Sequence, residues 1–201
     1  MVNGHSSVFD SGLMQAFASG FSNAAQALSS LVKGRVFYTS LHHGYYSLAS
    51  RKLDECYQLY NEIPRILLTT EIFGDISGKS YLYLSNNDYE LLTQAVPNLD
   101  MNLKEEFAKE VDNILSAAVI TKLSNQLNKK MFGDIPIMAG KVTARLEDII
   151  SDDFNEHDEI VYVNSIFFTL EGQPSVRPLF IWVFDKSMVG YRAQRKTLQP
   201  L

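Results

Sequence analysis

The chain has 201 residues, of which 46% are hydrophobic and 20% charged, a balance that excludes a disordered chain and suits one globular domain. A formal net charge of -5 argues against a nucleic-acid protein, because phosphate binding depends on clustered Lys and Arg; the one basic cluster, Arg192, Arg195 and Lys196, falls in a polar tail. The single cysteine, Cys56, excludes an internal disulfide and reads as a small buried apolar residue.

In chain order, Met1 to Gly12 lacks the basic and apolar regions of a secretory signal, so a cytoplasmic location is expected. Leu13, Phe17, Phe21, Ala24, Leu28 and Leu31 then follow helical spacing up to Gly34, which predicts a first long helix with a glycine stop. Val36 to Leu41 reads as a strand, and residues 42–62 as a less regular connection with a helical turn near Asp54 to Tyr60. Arg65–Phe73 and Ser80–Ser85 flank Gly74, Asp75, Ser77 and Gly78, the pattern of an antiparallel hairpin. Asp88–Val96 is a short helix stopped by Pro97.

A second long helix is predicted from about Leu103 to Lys129. An extended run around Ile135 to Leu146 follows, then a strand Ile160–Leu170, a turn at Gly172–Pro174 and a strand Val176–Phe184. None of these is a membrane span: Ile160–Leu170 is too short and contains Asn164 and Ser165. The order helix, strand, hairpin occurs twice, and a shift of about 95 positions places Leu28-Ser29 on Leu123-Ser124, Arg35 on Lys130, Phe37 on Phe132, and Arg65–Phe73 on Ile160–Ile166 and the two phenylalanines after it. The expected fold class is therefore α/β: a pseudo-two-fold duplicated unit with a mainly antiparallel sheet and two long helices packed on it. The whole chain is expected to be one domain made of repeats at about 11–97 and 103–190.

On a helical wheel centred on Val111, Phe107, Ile114, Leu115 and Ala118 form the core-facing stripe of the second long helix. Glu106, Glu110, Asn113 and Ala117 gather on the opposite side, with Glu110 and Asn113 neighbours three residues apart. By spacing alone this ridge is either a solvated face or a docking element in which a carboxylate meets a cation and an amide orients a water. Other polar groups carry less. His42 and His43 are adjacent and point to opposite faces of a strand, and His5 and His157 lie in loops without spaced partners. The acidic run Asp152, Asp153, Glu156, Asp158 and Glu159 lacks the spacing of a calcium loop and reads as a solvated connection. Asp10, Ser11 and His5 have no nucleophile elbow around them. Tyr45, Tyr46, Tyr57 and Tyr60 read as partly buried tyrosines in a connecting segment.

Glu106, Glu110, Asn113 and Pro136 together resemble the active-site signature of the CheC/CheX/FliY chemotaxis phosphatases: an acidic or serine residue, three residues, Glu, two residues, Asn, twenty-two residues, Pro. Glu106 stands where that family has Asp or Ser. The first helix, through Ser22 to Val36, is similar to the run after the first motif of two-site members such as CheC; there Ser11, Gln15 and Ala18 occupy the motif positions and Leu41 replaces the proline. The resemblance implies a CheC-like protein whose first site is degenerate and whose second is retained.

It also implies the chemistry: hydrolysis of the aspartyl phosphate on a CheY-like response regulator, with Asn113 orienting water, Glu110 docking on a regulator lysine, and Glu106 and Pro136 in support. No cofactor is expected on this chain, the magnesium belonging to the regulator, and no nucleic-acid or membrane partner is expected. The alternative it implies is a non-catalytic scaffold for a response regulator, a CheD-like protein or the flagellar switch. The family includes monomers and dimers, so the oligomeric state stays open.

Overall fold

The structure is a computed structural model that describes residues 8–48, 66–94, 100–139, 142, 146–154, 160–185 and 187–188. Two long helices dominate, α1 (Val8–Val32) and α3 (Met101–Leu127), with shorter helices α2 (Asn86–Gln94) and α4 (Leu146–Phe154). The strands are β1 (Val36–Ser47), β2 (Ile66–Gly74), β3 (Gly78–Leu84), β4 (Met131–Gly133), β5 (Ile137–Ala139), β6 (Ile160–Leu170) and β7 (Leu179–Phe184). They form one seven-stranded sheet in the order β1-β6-β7-β3-β2-β4, with β5 also on β2, and each pairing among the described residues is antiparallel.

This order is a pseudo-two-fold. β1 of the first half pairs with β6 of the second, β4 and β5 of the second half pair with β2 of the first, and β3 and β7 meet in the middle. The long helices end alike. Lys33 and Asn128, ninety-five positions apart, are the non-glycine residues with left-handed backbone among those described, at φ 53° and 52°. The expected stop at Gly34 is thus corrected by one residue: Lys33 takes the left-handed turn, and Gly34 N–H donates to the Ser29 carbonyl at 3.2 Å. In α3 the Asn128 N–H donates to the Ser124 carbonyl, while at the start the Asp100 carboxylate accepts from Leu103 N–H at 2.8 Å. Asn128 tolerates this conformation better than most side chains.

Both edges of the sheet carry the same irregularity. On β1 the register against β6 slips by one residue between Ser40 and His42, leaving Leu41 as the extra residue. On the far edge Gly133 pairs with Ile72 and Ile137 with Thr69, so the three residues 134–136 oppose two on β2. Pro136 sits in that slip; its missing N–H makes this a place where a ladder bond is not required.

One face of the sheet is covered by α1 and α3, which also pack on each other. They approach closely at Gly20, where a β-carbon would stand 3.0 Å from Val119 Cα. The large core between helices and sheet holds Phe17, Phe21, Leu28, Leu82, Val111, Leu115, Phe168, Phe180, Trp182 and Phe184. On the other face a smaller core of Leu67, Tyr81, Tyr83, Val161, Val163 and Ile181 is closed by Ile150 and Phe154 of α4. β6 is buried on both faces, and Asn164 and Ser165 are buried in it. No helix among the described residues is long and apolar enough to cross a membrane.

Several expected elements are corrected. β1 runs to Ser47, so residues 42–47 are strand and Tyr45 and Tyr46 lie on it, Tyr45 edge-on to Tyr162 with ring centroids 5.1 Å apart. The rest of the expected connection, with Cys56, Tyr57 and Tyr60, lies outside the described residues. The extended run after α3 is two three-residue strands, and Asp152 and Asp153 belong to α4. Asp153 is no solvated connector: it accepts from Lys79 Nζ and from the Tyr81 hydroxyl, both at 2.7 Å, and so ties α4 to β3. Glu156, Asp158, Glu159, His5, His157, Arg192, Arg195 and Lys196 lie outside the described residues.

Candidate functional site

α3 is unbroken from Met101 to Leu127, and Glu106, Glu110, Asn113 and Ala117 are all exposed on it. The wheel placed these residues on one ridge because each helical residue advances by about 100 degrees whatever the tertiary context. Glu106 is engaged along the helix, its carboxylate 2.7 Å from Lys109 Nζ. Among the described residues Glu110 and Asn113 have no side-chain partner, so a carboxylate and an amide one turn apart are presented to solvent on a rigid rod.

The core side of α3 differs from expectation in its centre. Val111 and Leu115 are fully buried, Phe107 and Ala118 are half-buried and packed against the core, Ile114 is half-buried, and the stripe also takes in Ala108, Asp112, Ser116, Val119 and Leu123. Asp112 and Ser116 are 0% and 1% exposed. The Thr70 hydroxyl of β2 donates to Asp112 Oδ2 at 2.7 Å, and the hydroxyls of Ser116 and Ser80 of β3 share a hydrogen bond at 3.0 Å. Burial pushes the Asp112 carboxyl up to about 7, the Thr70 bond drawing it partly back. A pattern reading cannot see this, because a polar residue enters an apolar stripe only where a partner distant in sequence receives it.

Pro136 is buried between Ile135, 79% exposed, and Ile137, 72% exposed, and α3 packs against both β4 and β5 on either side of it. At Gly133 a β-carbon would lie 2.8 Å from Ile120 Cδ1, the far end of a side chain that can shift. On α1, Gln15 and Ala18 are exposed as their counterparts Glu110 and Asn113 are, so the first ridge has the geometry with an amide where α3 has its carboxylate and a methyl where α3 has its amide. Ser11 falls within α1, and its side chain is outside the described residues. His42 lies with its ring 4.7 Å from that of Tyr46; burial, and then the neighbouring His43, hold its imidazole below the ordinary value.

No protein-family model matches the sequence, and no curated protein matches it. Solved structures do. FliY from Thermotoga maritima superposes with a TM-score of 0.61 at 15% identity, covering 96% of this chain and 99% of that one. The fold is that of the CheC/CheX/FliY chemotaxis proteins. The chemotaxis protein CheX from Desulfovibrio desulfuricans shares this CheC-like fold at a TM-score of 0.52 and 9% identity, over 85% of this chain and 99% of that one. So does the FliM middle domain from H. pylori, at 0.54 and 9%, over 90% and 96%. Such identities carry the fold and leave the chemistry to the residues. Within the CheC-like fold of this chain, the second long helix carries a carboxylate, Glu110, and an amide, Asn113, on its solvent ridge.

Proposed function

We propose that this protein is a phosphatase that hydrolyses the aspartyl phosphate of a CheY-like response regulator. The observation that carries this reading is the exposed pair Glu110 and Asn113, without a side-chain partner among the described residues, on one ridge of an unbroken helix in a CheC-like fold. Phosphoryl transfer to water asks little covalent chemistry of a protein; it asks for a water held in line with the departing oxygen. The Asn113 amide both donates and accepts hydrogen bonds and does not titrate near neutrality, which suits it to orient that water. Glu110 docks on a lysine beside the regulator's phosphate and sets the register of approach. The magnesium expected at an aspartyl phosphate would travel with the regulator and would supply charge neutralisation there. Glu106, paired with Lys109, and Pro136, buried in the slip between β4 and β5, have supporting roles in this reading.

The second reading is a scaffold that binds a regulator, a CheD-like protein or the flagellar switch without turnover. The specific observation in its favour is the first ridge, where Gln15 and Ala18 stand exposed in place of the carboxylate and amide. Loss of phosphate from a phosphorylated CheY-like regulator, followed with and without this protein, separates the two: catalysed loss supports the phosphatase, and binding with an unchanged decay rate supports the scaffold.

A further inference from the structure

The rotational setting of α3 decides where Glu110 and Asn113 project, and two hydrogen bonds tie its buried face to the sheet. Thr70 and Ser80 are direct cross-strand partners on β2 and β3. Their hydroxyls meet Asp112 and Ser116, which are four residues apart on α3. The spacings agree: four helical residues rise about 6 Å, and directly opposed residues on antiparallel strands are about 4.5–5.5 Å apart. The rest of this helix face, Val111, Leu115, Val119 and Leu123, is apolar and fully buried. Apolar contact is non-directional and tolerates a small rotation or slide, whereas hydrogen bonds weaken steeply with distance and angle. Turning the helix by one residue would carry Asp112 and Ser116 away from the sheet and leave the hydroxyls of Thr70 and Ser80 buried without these partners.

We propose that Asp112 is a positioning residue: bonded to Thr70 and assisted by the Ser116–Ser80 pair, it keys α3 to the sheet in the one setting that presents Glu110 and Asn113 together. Its consequence for turnover rests on the phosphatase reading; its consequence for helix position does not. Asp112 touches no reacting atom and acts through the helix alone.

The test uses the full-length chain with Thr70→Val, Asp112→Leu and Asp112→Asn, the last retaining an acceptor for Thr70. Two readouts are taken. In a Cys56→Ser background, nitroxides at Ala117→Cys and Glu71→Cys, both exposed positions, report the distance between α3 and the sheet. Separately, kcat and KM are measured on a phosphorylated CheY-like regulator. Thr70→Val and Asp112→Leu are expected to broaden or shift the distance distribution and to lower kcat by at least about tenfold with little change in KM, since small misplacement of a catalytic group is costly. Asp112→Asn restores both. A distribution unchanged in Thr70→Val and Asp112→Leu overturns the proposal, as does a kcat unchanged while the distribution moves. A parent protein without phosphatase activity overturns the functional reading instead, and the distance distributions then decide the keying by themselves.

Discussion

Leu41 and Pro136 occupy the same place on opposite edges of the sheet, each at the point where an edge strand slips by one residue against its neighbour. The ring of Pro136 is buried, and its fixed φ restricts the unfolded chain more than an alanine would. Pro136→Ala is expected to cost roughly 1 kcal/mol, seen as a fall in melting temperature of about 2–4 °C for a chain of this size. A variant as stable as the parent would show that the slip needs no proline.

Gly74 ends β2 with φ +126°, and a β-carbon there would lie 2.3 Å from the Lys130 carbonyl oxygen. Backbone cannot swing aside as a side chain can, and Asp75 locks the two segments together by giving its N–H to that carbonyl and accepting from Lys130 N–H. Gly74→Ala is expected to destabilise by about 2 kcal/mol or more, combining backbone strain with overpacking. Denaturant unfolding measures it, and a midpoint equal to the parent's would refute the close approach.

Asp112 makes stability depend on pH. Its folded value of about 7 lies above its ordinary 3.8, so between those limits the folded state holds a proton that the unfolded state releases. Its contribution is fully present below about pH 4 and is lost as pH rises through 7. Asp112→Asn does not titrate, so relative to the parent it gains stability across this window, by on the order of 2–4 kcal/mol at pH 8. Parallel unfolding curves at pH 5 and 8 for parent and variant check the sign; a difference between them that does not change with pH contradicts it.

The ridge of α3 was legible in the sequence because helical geometry is local: a residue's direction follows from its number once the helix is granted. The buried side was legible only in part. Asp112 and Ser116 lie inward because Thr70 and Ser80, about forty positions earlier, supply hydroxyls to meet them. Likewise Asp153 reads as part of an acidic loop until Lys79 and Tyr81, more than seventy positions away, are seen to hold it. The sequence pattern marks β1 only as far as Leu41, six residues short of its end, because the extra residue Leu41 reverses the alternation of faces and His42-His43-Gly44 follows it. The sheet order was anticipated only as a symmetry, which matched once the strands were seen to exchange between halves.

Glu110, exposed and without an ion-pair partner among the described residues, is assigned to docking, and an exposed ion pair is worth little. Glu110→Gln is therefore expected to weaken association with a phosphorylated regulator by roughly two- to fivefold, with the difference shrinking at high salt. Titration at low and high salt reads this directly; equal affinity of parent and variant at low salt would remove Glu110 from the interface.

Asn113 carries the central claim. Asn113→Ala, on the exposed ridge of α3, should leave fold and regulator affinity close to those of the parent while slowing catalysed loss of the aspartyl phosphate by about a hundredfold or more, since the lost interaction serves the transition state. The measurement is single-turnover decay of a phosphorylated CheY-like regulator at saturating phosphatase, parent beside variant. Decay suppressed to the regulator's own rate is the result this account predicts, and decay as fast with alanine as with asparagine contradicts it.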